Sequence, residues 1–223
     1  MNETITYDPS IFEIEGAVLK KYNGSDRYVA IPEGVTEIGE KAFWHLYHVE
    51  EVKIPETVVK IGDLAFCHCH KLKSIIIPKN VTEIGYGLFY RCCELKRATI
   101  LSNLTQIPKE TFEGCGRLAT ATLPDSVTEI CSTAFRFCHN LKKFTLPRGL
   151  TTIGKSAFAT SGLTTIFIPA SVTTIDEMAF CSCYDLICIS CEAKSKPEGW
   201  HDSWIERLPW RDRACKVFWG RKK

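Results

Sequence analysis

The sequence lacks a surplus of charge of either sign, and it also lacks a long apolar run. Its 28 basic and 26 acidic side chains leave a formal net charge of +2 over 223 residues. Proteins that bind nucleic acid usually carry a strongly basic face, so we expect no nucleic acid partner. No stretch approaches 18 consecutive apolar residues, so no membrane span is predicted. Because 45% of the residues are hydrophobic, a folded chain with a sizeable core is expected.

A secretory leader is also missing from residues 1–30, which show no basic start followed by an apolar run. The chain contains twelve cysteines. Without a leader, that number favours reduced thiols in a cytosol. We therefore expect a cytoplasmic protein. The alternative is a cell-surface or secreted protein whose leader is absent from this sequence.

The short motifs of common enzyme classes are missing as well. The chain has no Gly-x-Ser-x-Gly, no phosphate-binding glycine loop and no His-Glu-x-x-His. Serine, histidine and aspartate are present but scattered, and a nucleophile without a placed base is weak evidence for catalysis. We expect no enzymatic activity and no cofactor.

What the sequence contains in abundance is a repeat of 23 residues, with one step of 22. An Ile lies five residues before each Phe of the repeat, and an Ile-Pro or Leu-Pro pair ends most units. The fourth unit departs with Leu101-Ser102, and the short step is a deletion within residues 159–163. We number units one to seven by their column phenylalanine, which is Phe43, Phe66, Phe89, Phe112, Phe135, Phe158 or Phe180.

Each unit is too small to bury its own apolar face, but units stacked in one dimension bury a continuous core. After each Phe, the pattern Leu-x-x-Ile-x-Ile-Pro, as in residues 72–78, alternates like a strand with one buried face, and Pro ends it. A Val-x-x-Ile segment forms a second short strand, and a tight helical turn carries the Phe inward. The sequence therefore predicts a right-handed, mostly parallel β solenoid with short helical turns and about seven repeats.

The pattern Ile-Pro-x-x-Val-x-x-Ile-Gly-x-x-Ala-Phe-x-x-Cys-x-x-Leu resembles the BspA-like leucine-rich repeats over roughly residues 28–191. The resemblance implies a leucine-rich-repeat solenoid and an adhesion or interaction protein at a cell surface. It also implies an N-terminal β-hairpin cap at 1–30, repeats at 31–191, and a C-terminal Trp-rich cap with a basic tail at 192–223. Four tryptophans lie in that last segment, namely Trp200, Trp204, Trp210 and Trp219.

Five of the twelve cysteines form one column of the repeat, since they lie three residues after the column Phe, where a small buried side chain suits a tight turn. These are Cys69, Cys92, Cys115, Cys138 and Cys183. The cluster Cys67-His68-Cys69-His70 invites a metal, but alternate residues point to opposite sides and structural zinc uses convergent pairs, so no metal site is predicted. His45 and His68 share a column, and an adventitious metal contact there stays open, as do disulfides between neighbouring cysteines.

The outward side of the long strands, which we call the strand face, is the candidate binding surface, because solenoids dock partners on such faces. It presents six basic and two acidic residues within a Thr-rich lattice, with three exposed apolar residues. The partner is expected to be another protein or a glycan. Two alternatives stay open: the Lys and Thr side chains simply solvate the sheet, or the protein is a structural or self-associating adhesin. The expected binding residues are Lys53, Lys73, Ile76, Lys96, Arg97, Lys142, Lys143, Phe167 and Ile187.

Overall fold

Alternating apolar residues give each unit two extended segments, and these form the strands of the computed structural model. The residues that the structure describes are 8, 10–205 and 215–222. The strands among them are β1 (Phe12–Glu15), β2 (Val18–Tyr22), β3 (Tyr28–Ala30), β4 (Glu37–Ile38), β5 (Glu51–Lys53), β6 (Lys60–Ile61), β7 (Ser74–Ile77), β8 (Glu83–Ile84), β9 (Arg97–Ile100), β10 (Gln106–Ile107), β11 (Thr120–Thr122), β12 (Glu129–Ile130), β13 (Thr152–Ile153), β14 (Thr165–Ile168), β15 (Thr174–Ile175), β16 (Cys188–Cys191) and β17 (Lys216–Phe218).

The strands pair across units and make two faces of a solenoid. The strand face consists of sheets in the order β3-β5-β7-β9-β11 and β14-β16-β17, and the two-residue strands make the short-strand face, β2-β4-β6-β8 and β10-β12-β13-β15. Every pair is parallel except the β1–β2 hairpin, which extends the first short-strand sheet. About eight turns follow one another at the 23-residue spacing, which confirms the predicted parallel β solenoid.

A stack of aromatic rings runs through the core. Neighbouring column phenylalanines lie with ring centroids 4.9 to 5.6 Å apart, and none of them is more than 2% exposed. Tyr22 of the hairpin continues the stack at 5.4 Å from Phe43, and Trp204 closes it edge-on against Phe180 at 5.9 Å. Each fully buried Phe contributes about 1.5–3 kcal/mol through removal of its ring from water.

The segment around each column Phe, which we call the turn face, is not the predicted helical turn. Among the described residues no helix forms, because the positions two before and two after each Phe adopt left-handed φ. Alternating left- and right-handed residues aim the N–H groups along the solenoid axis, so three residues per unit donate to the next unit. Lys41 donates to the Asp63 carbonyl at 3.0 Å, Phe43 to Ala65 at 2.8 Å and His45 to Cys67 at 3.0 Å.

Both faces are interrupted near unit four. On the short-strand face, Gly62 donates its N–H to Ile38 at 2.7 Å and Gly85 donates to Ile61 at 2.8 Å, but Pro108 stands at the equivalent position of unit four and has no N–H. The sheet accordingly stops between β8 and β10. On the strand face the sheet stops after β11, and residues 143–146 form no strand.

The ends of the repeat array are covered by other structure. Tyr22 of β2 donates its N–H to Ala42 at 2.9 Å and its hydroxyl to Asp26 at 2.9 Å. At the other end, Trp200 is 2% exposed and donates Nε1–H to the Val172 carbonyl at 3.1 Å, while β17 pairs with β16. Trp210, which the sequence places in the C-terminal cap, lies outside the described residues.

Candidate functional site

The residues expected to bind a partner all lie in outward columns of the strand face. Lys53 lies in β5 and Arg97 begins β9, whereas Lys73 and Lys96 immediately precede β7 and β9. Lys142 and Lys143 lie in the equivalent segment of unit five, two units from Lys96 and Arg97, and all six cations are exposed. The candidate residues therefore form a long strip that crosses the strand face, and the structure brings only neighbouring pairs of them together.

Ion pairing divides the six cations into two classes. Lys73 lies 2.5 Å from a Glu50 oxygen, and Lys142 lies 2.6 Å from Asp185. Among the described residues, no carboxylate oxygen lies within 4.0 Å of the remaining four cations. The Lys73 ammonium lowers the pKa of Glu50, which keeps this nearly buried carboxylate ionised. Within the described part of the chain, four strand-face cations therefore form no ion pair, namely Lys53, Lys96, Arg97 and Lys143.

The apolar residues of the strand face are only partly as expected. Ile76 and Ile187 are 57% and 56% exposed. Phe167 is half-buried, and it lines a cleft together with residues 144–146. Tyr28, which was not among the expected residues, is 68% exposed at the N-terminal end of the same face. Its place opposite Glu51 in the pairing of β3 with β5 puts it in an outward column, a signal that the repeat alignment could have supplied.

A cleft opens in the strand face between β11 and residues 143–146. It has a volume of about 650 Å³, and its lining includes Thr120, Thr122, Lys143 and Thr145. Ala121 and Leu123, whose equivalents in the other units are buried, are half-buried here. The cleft therefore reaches past the outward lattice to the inward side of β11. Its size falls within the range of about 300–1,000 Å³ that ligand sites occupy.

The column of cysteines is structural in its contacts. The five thiols are buried, and each donates to the carbonyl of the column Phe one unit earlier, as Cys115 does to Phe89 at 3.1 Å. Burial raises the pKa of Cys69 to about 12 and that of Cys115 well above its usual value. Thiols held in this way are poor nucleophiles and poor metal ligands at neutral pH.

Histidines and aromatic residues cluster on the turn face of units one to three. The His68 ring stacks on His45 with centroids 4.4 Å apart, its Nδ1 lies 3.1 Å from His70 Nε2, and Tyr90 meets it edge-on at 5.6 Å. Burial, and then the neighbouring His45, lower the pKa of His68 and of His70. Both rings are therefore uncharged at neutral pH. Among the described residues, no three His, Cys, Asp or Glu side chains converge as a metal site would require.

Comparisons with known proteins agree on the repeat. A family described as the BspA type leucine rich repeat region matches six copies over residues 12–135 and 105–196. A leucine rich cell surface protein from Faecalibacterium prausnitzii A2-165 has a similar structure, with 34% identity, a TM-score of 0.72, and coverage of 83% of this chain and 52% of that one. No curated protein matches the sequence.

Two further solved structures are similar. A leucine-rich repeat protein from Bacteroides ovatus ATCC 8483 has 26% identity and a TM-score of 0.57, covering 74% of this chain and 55% of that one. A leucine-rich repeat protein from Eubacterium ventriosum ATCC 27560 has 24% identity and a TM-score of 0.56. The match covers 67% of this chain and 47% of that one, and it supports the fold alone. The chain spans about half the length of these relatives.

The comparisons also bear on catalysis and location. The matched family and the similar structures are described as leucine-rich repeat proteins, and these descriptions name no catalytic activity. The Faecalibacterium relative is described as a cell-surface protein, so the expectation of a cytoplasmic location finds no support there. In the part of the chain that the structure describes, no helix has the length and apolarity to cross a membrane.

Proposed function

The chain belongs to the BspA-type leucine-rich repeat family, and from that premise we propose that it is an interaction module that binds another protein, or a glycan, through its strand face. The observation that carries the proposal is the set of four strand-face cations that have no carboxylate partner among the residues that the structure describes. An unpaired exposed cation keeps its full charge for a ligand, whereas a paired one must first give up its partner.

The apolar residues on the same face support the proposal. Ile76 and Ile187 are more than half exposed, and Tyr28 is 68% exposed near Arg27. Interfaces commonly combine a few aromatic or aliphatic anchors with a polar surround. A partner that suits this strip carries acidic or sulfated groups next to apolar groups.

We further propose a location at the cell surface, which was the alternative to the cytoplasm. The support is the surface description of the Faecalibacterium relative, which is 34% identical.

Charge on the exposed strip of the strand face also speeds the capture of large partners, since electrostatic attraction raises association rates.

The test compares partner capture by the wild type with capture by the triple variant Lys96→Glu, Arg97→Glu, Lys143→Glu. Both immobilised proteins are exposed to a glycan array and to lysates of host and bacterial cells, and bound proteins are identified by mass spectrometry. We expect the triple variant to lose the specific partner, with an unchanged melting temperature.

The matched control reverses three exposed cations that lie outside the strand face, Lys21, Lys79 and Lys194, and so changes the net charge equally. The control variant should capture the partner as the wild type does. An equal loss of partner capture in both variants would mean that net charge alone explains the loss. Capture of the partner by the strand-face variant would refute the proposed surface.

A further inference from the structure

The parallel sheet of the strand face has an unpaired edge in the middle of the molecule. Along β9 and β11 the ladder is intact, with Thr120↔Arg97, Ala121↔Ala98 and Thr122↔Thr99 as partners. On the other side of β11, the described residues show no backbone hydrogen bond that joins residues 143–146 to it. Where the repeat pattern would have Lys142 donate to Ala119, its N–H turns instead to the Asn140 carbonyl at 2.9 Å.

The side chain of Phe144 accounts for this gap. The inward column of the strand face holds Ile75, Ala98 and Ala121 in the three preceding units, and Phe144 places a far larger ring in the fifth. The ring packs between Phe135, at 4.9 Å, and Phe158, at 5.4 Å. We attribute the displacement of residues 143–146 from the ladder to the room that this ring takes.

The unpaired edge presents main-chain groups in a defined direction. Thr120 donates its N–H to Lys96 of the preceding unit at 3.2 Å. Because alternate residues of a strand point their backbone groups to opposite sides, the N–H and carbonyl of Ala121 face the cleft. An exposed strand edge of this kind is a template for pairing with an added strand. The cleft of about 650 Å³ beside it gives such a strand room.

Charge sets the kind of strand that fits. Lys143 lines the cleft, and no carboxylate oxygen of the described residues lies within 4.0 Å of it. Lys96 and Arg97 extend the basic surface from β9. Asp125 lines the opposite end of the cleft. A strand parallel to β11 would place its N-terminal residues beside Lys143, so acidic side chains belong at that end.

From these observations we propose that the cleft between β11 and residues 143–146 binds an extended segment of a partner protein, acidic at its N-terminal end, as an added parallel strand. The proposal rests on the proposed function and narrows it to one place on the strand face. The main chain of Ala121 supplies hydrogen bonds, Lys143 supplies the charge contact, and the alternate side chains of the added strand pack on Ala121 and Leu123.

The first experiment uses the peptide acetyl-Glu-Glu-Val-Thr-Val-Thr-amide with the whole protein, and the dissociation constant is measured by calorimetry. A matched peptide carries N-methyl groups on alternate residues facing β11, and another has Lys-Lys in place of Glu-Glu. We expect each change to weaken binding about tenfold, since one removes main-chain donors and the other reverses the charge contact. Equal binding by the N-methylated peptide would overturn the added strand.

The second experiment locates the bound peptide. Amide hydrogen exchange of Ala121 and Leu123 should slow when the peptide binds, while exchange in β5 stays unchanged. Lys143→Glu should weaken binding about tenfold, and the control Lys21→Glu, at an exposed cation outside the strand face, should leave it unchanged. Protection elsewhere, or an equal effect of the two substitutions, would place the peptide outside the cleft and overturn the proposal.

Phe144→Ile separates this proposal from the proposed function. The smaller side chain, which matches Ile75, should let residues 143–146 rejoin the ladder and so close the cleft to the peptide. A captured partner that is lost with the triple charge reversal but retained by a folded Phe144→Ile variant would overturn the cleft and leave the strand-face proposal standing. Should Phe144→Ile fail to fold, the N-methylated peptide and the exchange measurement still decide the question.

Discussion

Each column phenylalanine is held between the rings of two neighbouring units, so its removal leaves a cavity that neither neighbour can fill. Phe112 lies 5.4 Å from Phe89 and 5.2 Å from Phe135, in the middle of the array. The backbone on both sides is fixed by hydrogen bonds to adjacent units, which limits collapse around the cavity.

Phe112→Ala is expected to lower the free energy of unfolding by roughly 3–5 kcal/mol, as for other buried aromatic deletions. Chemical denaturation followed by circular dichroism measures the change. The control is Phe137→Ala, a half-buried ring that lies beside Arg136 on the turn face, and it should cost far less. Similar losses in both variants would contradict the assignment of the column as the core.

The histidine cluster ties stability to pH at the scale of single side chains. The folded pKa of His68 and of His70 lies below the ordinary value, mainly because the rings are partly buried. The unfolded chain takes up these protons near pH 6.5, and the folded chain does so only at lower pH. The stability they contribute is complete above about pH 6.5 and is lost as the pH falls towards the folded-state values.

The melting temperature of the wild type should therefore drop more between pH 7.5 and pH 5.5 than that of the double variant His68→Gln, His70→Gln. Differential scanning fluorimetry at both pH values gives the comparison. His139→Gln, at an exposed histidine of unit five, should keep the wild-type dependence. An identical drop in the wild type and the double variant would show that these rings do not carry the effect.

At the scale of elements, the strands follow from the sequence and the turns do not. Ladders of like residues, such as Ile38 with Ile61, were readable because they recur every 23 residues with a buried side. The left-handed positions were hidden, because side chains such as Lys41 and His45 occupy most of them and give no glycine signal. Their φ values are imposed by hydrogen bonds to the next unit, which a propensity for helical turns cannot anticipate.

The candidate site shows the same division. Outward columns follow from alternation, and the structure has Lys96 and Arg97 exposed on the strand face. The pairing of Lys142 with Asp185 joins residues 43 positions apart, and no local pattern encodes it. The cleft could not be predicted, because Phe144 fits the apolar alternation of its column, and only packing shows that its ring is too large for the ladder.

The shortened linker of unit six depends on one glycine. A Cβ on Gly162 would lie 1.8 Å from the His139 carbonyl oxygen of the preceding unit. Gly116 occupies the equivalent position in unit four, where a Cβ would meet His139 Cδ2 at an ordinary 3.6 Å.

Gly162→Ala should destabilise the protein by at least the roughly 1–3 kcal/mol that overpacking a core site costs, because the added methyl group has no room. Gly116→Ala should change stability by less than about 1 kcal/mol, the scale of a backbone-entropy effect. Urea unfolding of the two variants measures the difference. Comparable effects would mean that the short linker yields to the added methyl group.

At the scale of the whole molecule, the interruption of the strand face divides that face into two paired blocks. Units up to four share one strand-face sheet and units six and seven share another, and the short-strand sheet β10-β12-β13-β15, the aromatic stack and the turn face connect them. Local opening should therefore begin on the strand face of unit five, since the strand-face amide groups there lack ladder partners.

Hydrogen exchange tests this arrangement. The amides of Phe144 and Thr145 are expected to exchange orders of magnitude faster than those of Ala98 and Thr99 in β9, which pairs with a strand on both sides. Exchange followed by NMR or by mass spectrometry of peptides from units three and five gives the comparison. Equal protection in the two units would mean that the sheet continues through unit five.

The hydrogen bonds of the turn face give the whole molecule an electrical polarity. The peptide group between Asp63 and Leu64 accepts from the unit before it and donates to the unit after it, and the same holds along the array as far as Met178, which donates to Ser203. Three such chains run side by side, so their peptide dipoles add as they do in an α-helix, with the positive end towards the C-terminus. Every inserted or deleted unit would lengthen or shorten this macrodipole without reversing it. The dipoles of two copies that stack end to end would attract each other only when the C-terminal end of one copy meets the N-terminal end of the other.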